Sequence, residues 1–449
     1  MEHLAKINVP LYIRNKRAVK EERRKRRLWR QQQRSEKEQA AINAEFGTQS
    51  KILSMMGAGC QPASTVDMRK GRVRFVAPVV FSMMDDPAGT VAALADFAMK
   101  LTMPKIRSVR IDLNKVKTYD LAANALLDIL VEEVTVKARQ TNRKIHWHGS
   151  YPADENQRLL VRSLGVIKFL DVAHESTSQR EADLVEAFHE RAKHYVRTVR
   201  ANETDKKSRV TQRFADHINK CLRHIGRELG PLARKKLCDY VGEILDNAEE
   251  HAEMFDWTIQ GYLDTSKGDL ICEIAILNFG RSIADSFNAL PADHYTREKH
   301  VKPYLDAHAK KGIFSTGWRV DDLLTLIALQ GSVSSKNFSP QDTRGNGSVD
   351  LINFFQKVTE ECRTQSGAKT GARMTLISGS TGILFDGKYE MVMTENRPGI
   401  IAFNSANDLK IRPDPAYVRH FATVSFPGTV LSIKFPLSPD SSTSAVTGG

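Results

Sequence analysis

Apolar residues along the chain fall into short strand-like runs separated by longer segments at helical spacing. From about Arg72, RVRFVAPVVF, SVRIDLNKV and RKIHWHG predict strands, rich as they are in Val, Ile and aromatic residues. PAGTVAALADFAMKL, LAANALLDILVEEVTVKARQ and ADENQRLLVRSLG lie between and after them and read as helices. Strands alternating with helices of this length predict an α/β layer. Further on, LCDYVGEILDNAEEHAE repeats apolar residues at Leu237, Val241, Ile244, Leu245 and Ala248, the spacing of an amphipathic helix. DLICEIAILNFGRSIADSF then reads as a strand ending in a glycine turn, and RGNGSVDLINFF as a glycine-led helix. FPGTVLSIKFPL closes the pattern with an alternating strand.

Three segments have no apolar face. Residues 14–46 hold no Gly or Pro and predict a charged helix, continuous with a basic arm over 1–50. Residues 176–209, which include READLVEAFHERAKHYVRTVR, predict a polar helical connector. The end, 439–449, is low-complexity and predicts a disordered tail.

Composition narrows the class. At 449 residues the chain exceeds what one core usually supports, which predicts two domains plus appendages. It is 41% hydrophobic and 27% charged, and no apolar run approaches the roughly 20 residues of a membrane helix. Five scattered cysteines without a CxxC pair argue against a disulfide framework or structural zinc, and the start lacks a secretory apolar core. Together these predict a cytoplasmic protein. The net charge of +13 is concentrated: residues 14–34 hold eleven basic side chains against Glu21 and Glu22. That arm suits nucleic acid or an acidic surface, or is simply a solvated extension.

Candidate chemistry lies in the second half. Glu243 and Asn247 are four apart, so they share one side of their helix. An Asn amide oxygen suits Mg²⁺, which takes few protein ligands, and a carboxylate one turn earlier can activate a nucleophile. Gly345 and Gly347 lead into a helix whose first amides can cradle phosphate. The turn after Asn278 contains Gly280, and Gly428–Thr429 opens the last strand.

The order of these features resembles the gyrase, Hsp90, histidine kinase and MutL (GHKL) ATPase superfamily. The stretch E-x-x-x-N-A-x-x-H is similar to its N-box. The resemblance implies ATP and Mg²⁺ as cofactors, with Asn247 as metal ligand and Glu243 as catalytic base. It also implies nucleotide contacts from Asn278, Gly280, Arg344, Gly345, Gly347 and Thr429. Asn278 stands where that family has an adenine-reading Asp, and Ser282 where it has a second glycine. An Asn keeps a carbonyl acceptor but not its charge. A lid would span about 290–343, and Lys310 and Lys311 within it and Arg344 just after it are candidate phosphate contacts. His217 and His224 lack the box of a phosphoaccepting histidine and read as ordinary helix residues.

The earlier α/β layer resembles a STAS domain, the fold of anti-sigma factor antagonists. It departs at the switch position, where Asp120 is followed by Leu121, Ala122 and Ala123 with no hydroxyl to phosphorylate. Docking a protein partner is the implied role. The expected organisation is therefore a STAS-like domain over 70–175, the connector over 176–209, and a two-layer α/β sandwich of the histidine kinase-like ATPase (Bergerat) fold over 210–438. The expected function is an ATP-binding regulatory protein with ATPase or kinase activity, which also allows a homodimer. The alternatives are a non-catalytic nucleotide-binding scaffold and a nucleic-acid-associated factor acting through the arm.

Overall fold

The computed structural model describes residues 50–58, 71–103, 106–164, 185–193 and 203–437, except 252–253, 255, 266–269, 316, 340, 343–346, 364–370 and 395–396. Apart from Ser50, the basic arm and the tail lie outside the described residues. Among the described residues no helix is long and apolar enough to cross a membrane.

Helix α1 (Lys51–Ala58) precedes a parallel three-stranded sheet ordered β1 (Arg72–Val76), β3 (Ser108–Asp112), β5 (His146–Ser150). A short parallel bridge joins β2 (Val80–Phe81) to β4 (Thr118–Tyr119). Helices α2 (Pro87–Leu101), α3 (Leu121–Gln140) and α4 (Glu155–Leu164) follow β2, β4 and β5 in turn. Local chemistry sets their starts. Asp86 caps α2 by accepting from Gly89 N at 3.0 Å, with Pro87 in the first turn. Asp120 caps α3 by accepting from Ala123 N at 2.8 Å.

The remaining chain builds a second sheet. In order come β6 (Val185–Ala192), α5 (Glu203–Arg223), α6 (Pro231–His251), β7 (Trp257–Asp264), β8 (Leu270–Phe279) and α7 (Ile283–Asn288). A π-helical turn (Arg297–Val301), α8 (Lys302–Lys310), α9 (Val320–Ile327) and α10 (Gly347–Arg363) follow. The described residues end with β9 (Arg373–Gly379), β10 (Thr381–Phe385), the hairpin β11 (Val392–Thr394) and β12 (Arg397–Ile400), β13 (Val418–His420) and β14 (Phe426–Leu437). Seven strands pair antiparallel in the order β13-β10-β9-β14-β8-β7-β6.

The 176–209 segment corrects the sequence reading. Of its described residues, 203–209 are helical as expected, at the start of α5, but 185–192 are not: β6 runs along the outer side of β7, pairing Phe188 with Gly261 and Arg191 with Thr258. The composition of Glu, Ala and Arg favours helix, but tertiary pairing overrides it. Phe188 and Ala192 turn inward to the core, while Arg191 enters a buried charge cluster. An edge strand accommodates such charge readily.

The two stretches do not fold as separate sandwiches. One face of the seven-stranded sheet packs with α5, α6, α9 and α10 around Trp257, Ile259, Ile274 and Leu431. The other face is also covered: Ala275, Leu277, Phe279 and Val430 share a core with Leu126, Ile129 and Leu130 of α3. The two-layer expectation thus describes only the front, and α3 adds a layer behind it. α3 packs on β7, β8 and β14 on one side and on α1, α2 and α4 on the other. Every residue from Leu121 to Thr135 is accordingly buried, as a helix with no solvent face must be.

Burial on all sides forces the polar residues of α3 to find partners. Asn124 accepts from Tyr119 OH at 3.0 Å and donates to Asp128 at 3.2 Å. Glu132 and Glu133 meet Arg191 of β6, which also pairs with Asp256 at 3.1 Å. Burial works against the Arg191 charge, but Asp256, Glu133 and Glu132 outweigh it and hold the guanidinium firmly protonated. At the other end, Asp120 accepts from Ser82 Oγ at 2.6 Å and Met84 N at 3.1 Å. Glu273 of β8 accepts from Leu121 N at 2.9 Å, so a sheet residue completes the N-terminal capping of α3. Burial, and next the Glu273 charge, push the Asp120 carboxyl up to about 6.

Replacing Arg191 by Met leaves Glu132, Glu133 and Asp256 without their shared cation. We expect a loss of about 3–5 kcal/mol in urea unfolding, and a loss under 1 kcal/mol would show that the cluster is not structural. Asp120 generates a pH effect. Its folded pKa, about 6, exceeds the ordinary 3.8, so the folded chain holds the proton more tightly and stability falls as pH rises between those values. Relative to Asp120→Asn, the wild type should lose on the order of 2 kcal/mol across that window, and parallel pH–stability curves would contradict the assignment.

Candidate functional site

The front face of β8 is an apolar row with one polar end. Alternation turns Ile274 and Ile276 toward the core under α6 and α10, and the next residue in phase is Asn278. Asn278 pairs in register with Thr429 of β14 on one side and Trp257 of β7 on the other. Gly428, at φ +128°, sits where any Cβ would overlap the Asn278 carbonyl oxygen, so only glycine lets β14 close on β8 here. Gly280 ties the following turn to the start of β14 by donating to the Pro427 carbonyl at 3.2 Å.

Ser282 has a local reason. Its hydroxyl accepts from Asp285 N at 3.1 Å while its own N–H donates to Asp285 at 3.2 Å, a capping box that starts α7. A helix cap, not a phosphate-loop glycine, is the chemistry this position serves.

Across the sheet, Ser378 of β9 organises the floor. It donates to the Gly428 carbonyl at 2.9 Å, accepts from Ile283 N at 2.9 Å and lies 3.0 Å from Thr429 Oγ1. With the Ser378 proton directed at Gly428, the Thr429 hydroxyl donates to Ser378 and keeps its acceptor lone pairs free of that bond. Sequence reasoning missed Ser378 because a lone hydroxyl in LISG carries no signal until the β9–β14 register is known.

These residues open into a pocket. Asn278, Ser282 and Thr429 line it with Gly347 and Ser348 of α10, and Ile244, Ala248, Leu376 and Leu431 wall it with apolar surface. Ser334 and Ser335 of the segment expected as a lid also line it, anchored where Thr296 donates to the Ser334 carbonyl at 2.8 Å. Their signal, a serine pair beyond an apolar helix, was present in the sequence but too common to single out. Arg281 is the one charged side chain among the described lining residues, which include no carboxylate.

Helices α6 and α10 meet at the rim of this pocket. A Cβ on Gly347 would overlap Glu243 Cγ, so glycine is what allows the first turn of α10 to lie against α6. The 17-residue α10 therefore presents its N-terminal amides at the pocket, with the positive end of its dipole.

The candidate residues distribute unevenly. Asn278, Gly347 and Thr429 line one pocket, and Gly280 shapes the turn beside it. Glu243 does not line it. That side chain is exposed, packs over Gly347 and borders a neighbouring polar cleft between α5 and α6 with Lys207, Asp239 and Asp246. Asn247 occupies α6 one turn after Glu243, but its side chain lies outside the described residues, as do Arg344 and Gly345. Lys310 and Lys311 close α8 away from the pocket, where Lys311 donates to the Lys410 carbonyl at 3.4 Å. Among the described residues, no three His, Cys, Asp or Glu side chains form a metal-holding group. His217 is buried against Phe188, and His224 lies 3.4 Å from Glu186 at the surface.

No protein-family model, curated protein or solved structure matches the chain.

The Gly347–Glu243 contact can be tested without a ligand. Gly347→Ala should cost about 1–3 kcal/mol through overpacking, and adding Glu243→Ala should recover more than half of that loss. Additive effects of the two substitutions would mean that the helices do not meet there.

Proposed function

We propose that this pocket binds ATP with Mg²⁺, in the manner implied by the resemblance to the GHKL superfamily. The observation that carries the reading is convergence. Four sequence stretches far apart in the chain, in α6, at the end of β8, at the start of α10 and at the start of β14, meet around one cavity. The amides at Gly347 and Ser348 suit phosphate, and the apolar walls suit a flat base. Asn278 and Thr429 supply neutral polar atoms for the edge of that base.

The donor set suits such a ligand. A site whose described lining residues include no carboxylate does not repel a polyphosphate, and Arg281 adds a positive charge at its edge. Asn247 would be the one side chain to hold Mg²⁺, with phosphate and water completing its shell. When bound, that ion neutralises charge on the phosphates and orients them. The N-terminal layer then serves as the regulatory module: α3 rests on β8, the same strand that ends in Asn278, and Glu273 caps α3 from that strand. A protein partner would meet the exposed side of β5, and hydrolysis or phosphoryl transfer would use Glu243 as base.

One observation favours a second reading. Glu243 borders the α5–α6 cleft and does not line the pocket, which suits a protein that binds nucleotide without turning it over. Calorimetric titration with Mg–ATP separates the readings. Wild type should bind, and Asn247→Ala should lose at least about tenfold in Mg²⁺-dependent affinity. Turnover abolished by Glu243→Gln with binding retained makes the protein an enzyme. Binding without turnover in the wild type makes it a scaffold, and absence of binding overturns the proposal.

A further inference from the structure

We infer that the pocket accepts 6-oxo as well as 6-amino purine nucleotides, and that Asn278 is the residue that permits both. The inference rests on the nucleotide reading above and deepens it.

Elimination locates the base. Phosphate belongs at the N-terminal amides of α10, beside Gly347 and Ser348, because those groups are donors at the positive end of a helix. Ser282, Ser286, Ser334 and Ser335 line the walls with hydroxyls, and the sheet floor presents Asn278 and Thr429, adjacent in register on β8 and β14, with Asn278 the one side-chain amide among the described lining residues. Ser378 lies beneath them and is already occupied by the Gly428 carbonyl, Ile283 N and Thr429.

The chemistry of that floor is ambivalent. An adenine presents an amino donor at position 6, whereas guanine and hypoxanthine present a carbonyl acceptor there with a donor at N1. A carboxylate, which only accepts, would hold the amino group and repel the carbonyl. The Asn278 amide carries both an acceptor oxygen and an NH₂ donor, and a rotation of its terminal torsion exchanges them. The Thr429 hydroxyl, with its proton directed at Ser378, offers an acceptor usable by either an amino group or an N1–H. Among the described lining residues there is no carboxylate to restore discrimination, and Arg281 is a donor that tolerates a carbonyl oxygen.

Competitive titration with Mg–ATP, Mg–GTP and Mg–ITP tests this on the full chain. In the wild type the three affinities should agree within about fivefold, because no buried polar group is left unpaired by either base. Asn278→Asp should shift the GTP-to-ATP ratio by at least about tenfold, mainly by weakening GTP and ITP. Asn278→Ser, a smaller donor and acceptor, should keep the wild-type ratio and controls for general damage to the floor. Wild type binding ATP but GTP more than about a hundredfold more weakly overturns the inference and leaves the nucleotide reading standing. An unchanged ratio in Asn278→Asp does the same. If no nucleotide binds the wild type, both fall together.

Discussion

A helix buried on every side is the constraint around which the rest of the chain is arranged. α3 has no solvent face from Leu121 to Thr135, yet it carries Asn124, Asp128, Glu132 and Glu133 inside. Buried carboxylates are costly unless they are paired, so the surrounding elements are placed to supply partners. Arg191 reaches in from β6 to Glu132 and Glu133, and Ser50 donates to Glu133 at 2.6 Å from the entrance of α1. Glu273 meets the α3 N-terminus from β8 and is itself held by Lys434 of β14 at 2.9 Å. These contacts tie the N-terminal layer to β6 and β8 of the large sheet, with β14 supporting Glu273 through Lys434.

β8 carries the consequence from one face of the sheet to the other. Its alternation puts Glu273, Ala275, Leu277 and Phe279 behind, against the N-terminal layer, and Ile274, Ile276 and Asn278 in front. A shift of α3 along the sheet would disturb Glu273 and, through the rigid pleat, the register of Asn278 with Thr429. The pocket floor and the N-terminal layer are in this sense served by two faces of one strand. Gly428 makes the register tight, since any larger residue there would force β14 away from β8.

Much of this was legible in the sequence, for identifiable reasons. Long segments with clear periodicity, such as LAANALLDILVEEV and LICEIAILNF, announced their elements. Asn278, Gly347 and Thr429 line one pocket although they lie far apart in the sequence, a grouping that only the resemblance implied. Three things were not legible. VEAFHERA has helical composition, and only its pairing with β7 and the partners of Arg191 make it a strand. Ser378 acquires its role from register across strands distant in sequence. The covering of the rear face by α3 depends on long-range packing, which a helix pattern alone does not specify.

The central claim is that one pocket, built jointly by α6, the end of β8 and the start of α10, takes a Mg–nucleotide. Hydrogen–deuterium exchange with and without Mg–ATP tests it most directly. The account predicts simultaneous protection in peptides covering residues 243–251, 277–283 and 347–352. Unchanged exchange in those three peptides, with protection elsewhere or nowhere, would contradict it.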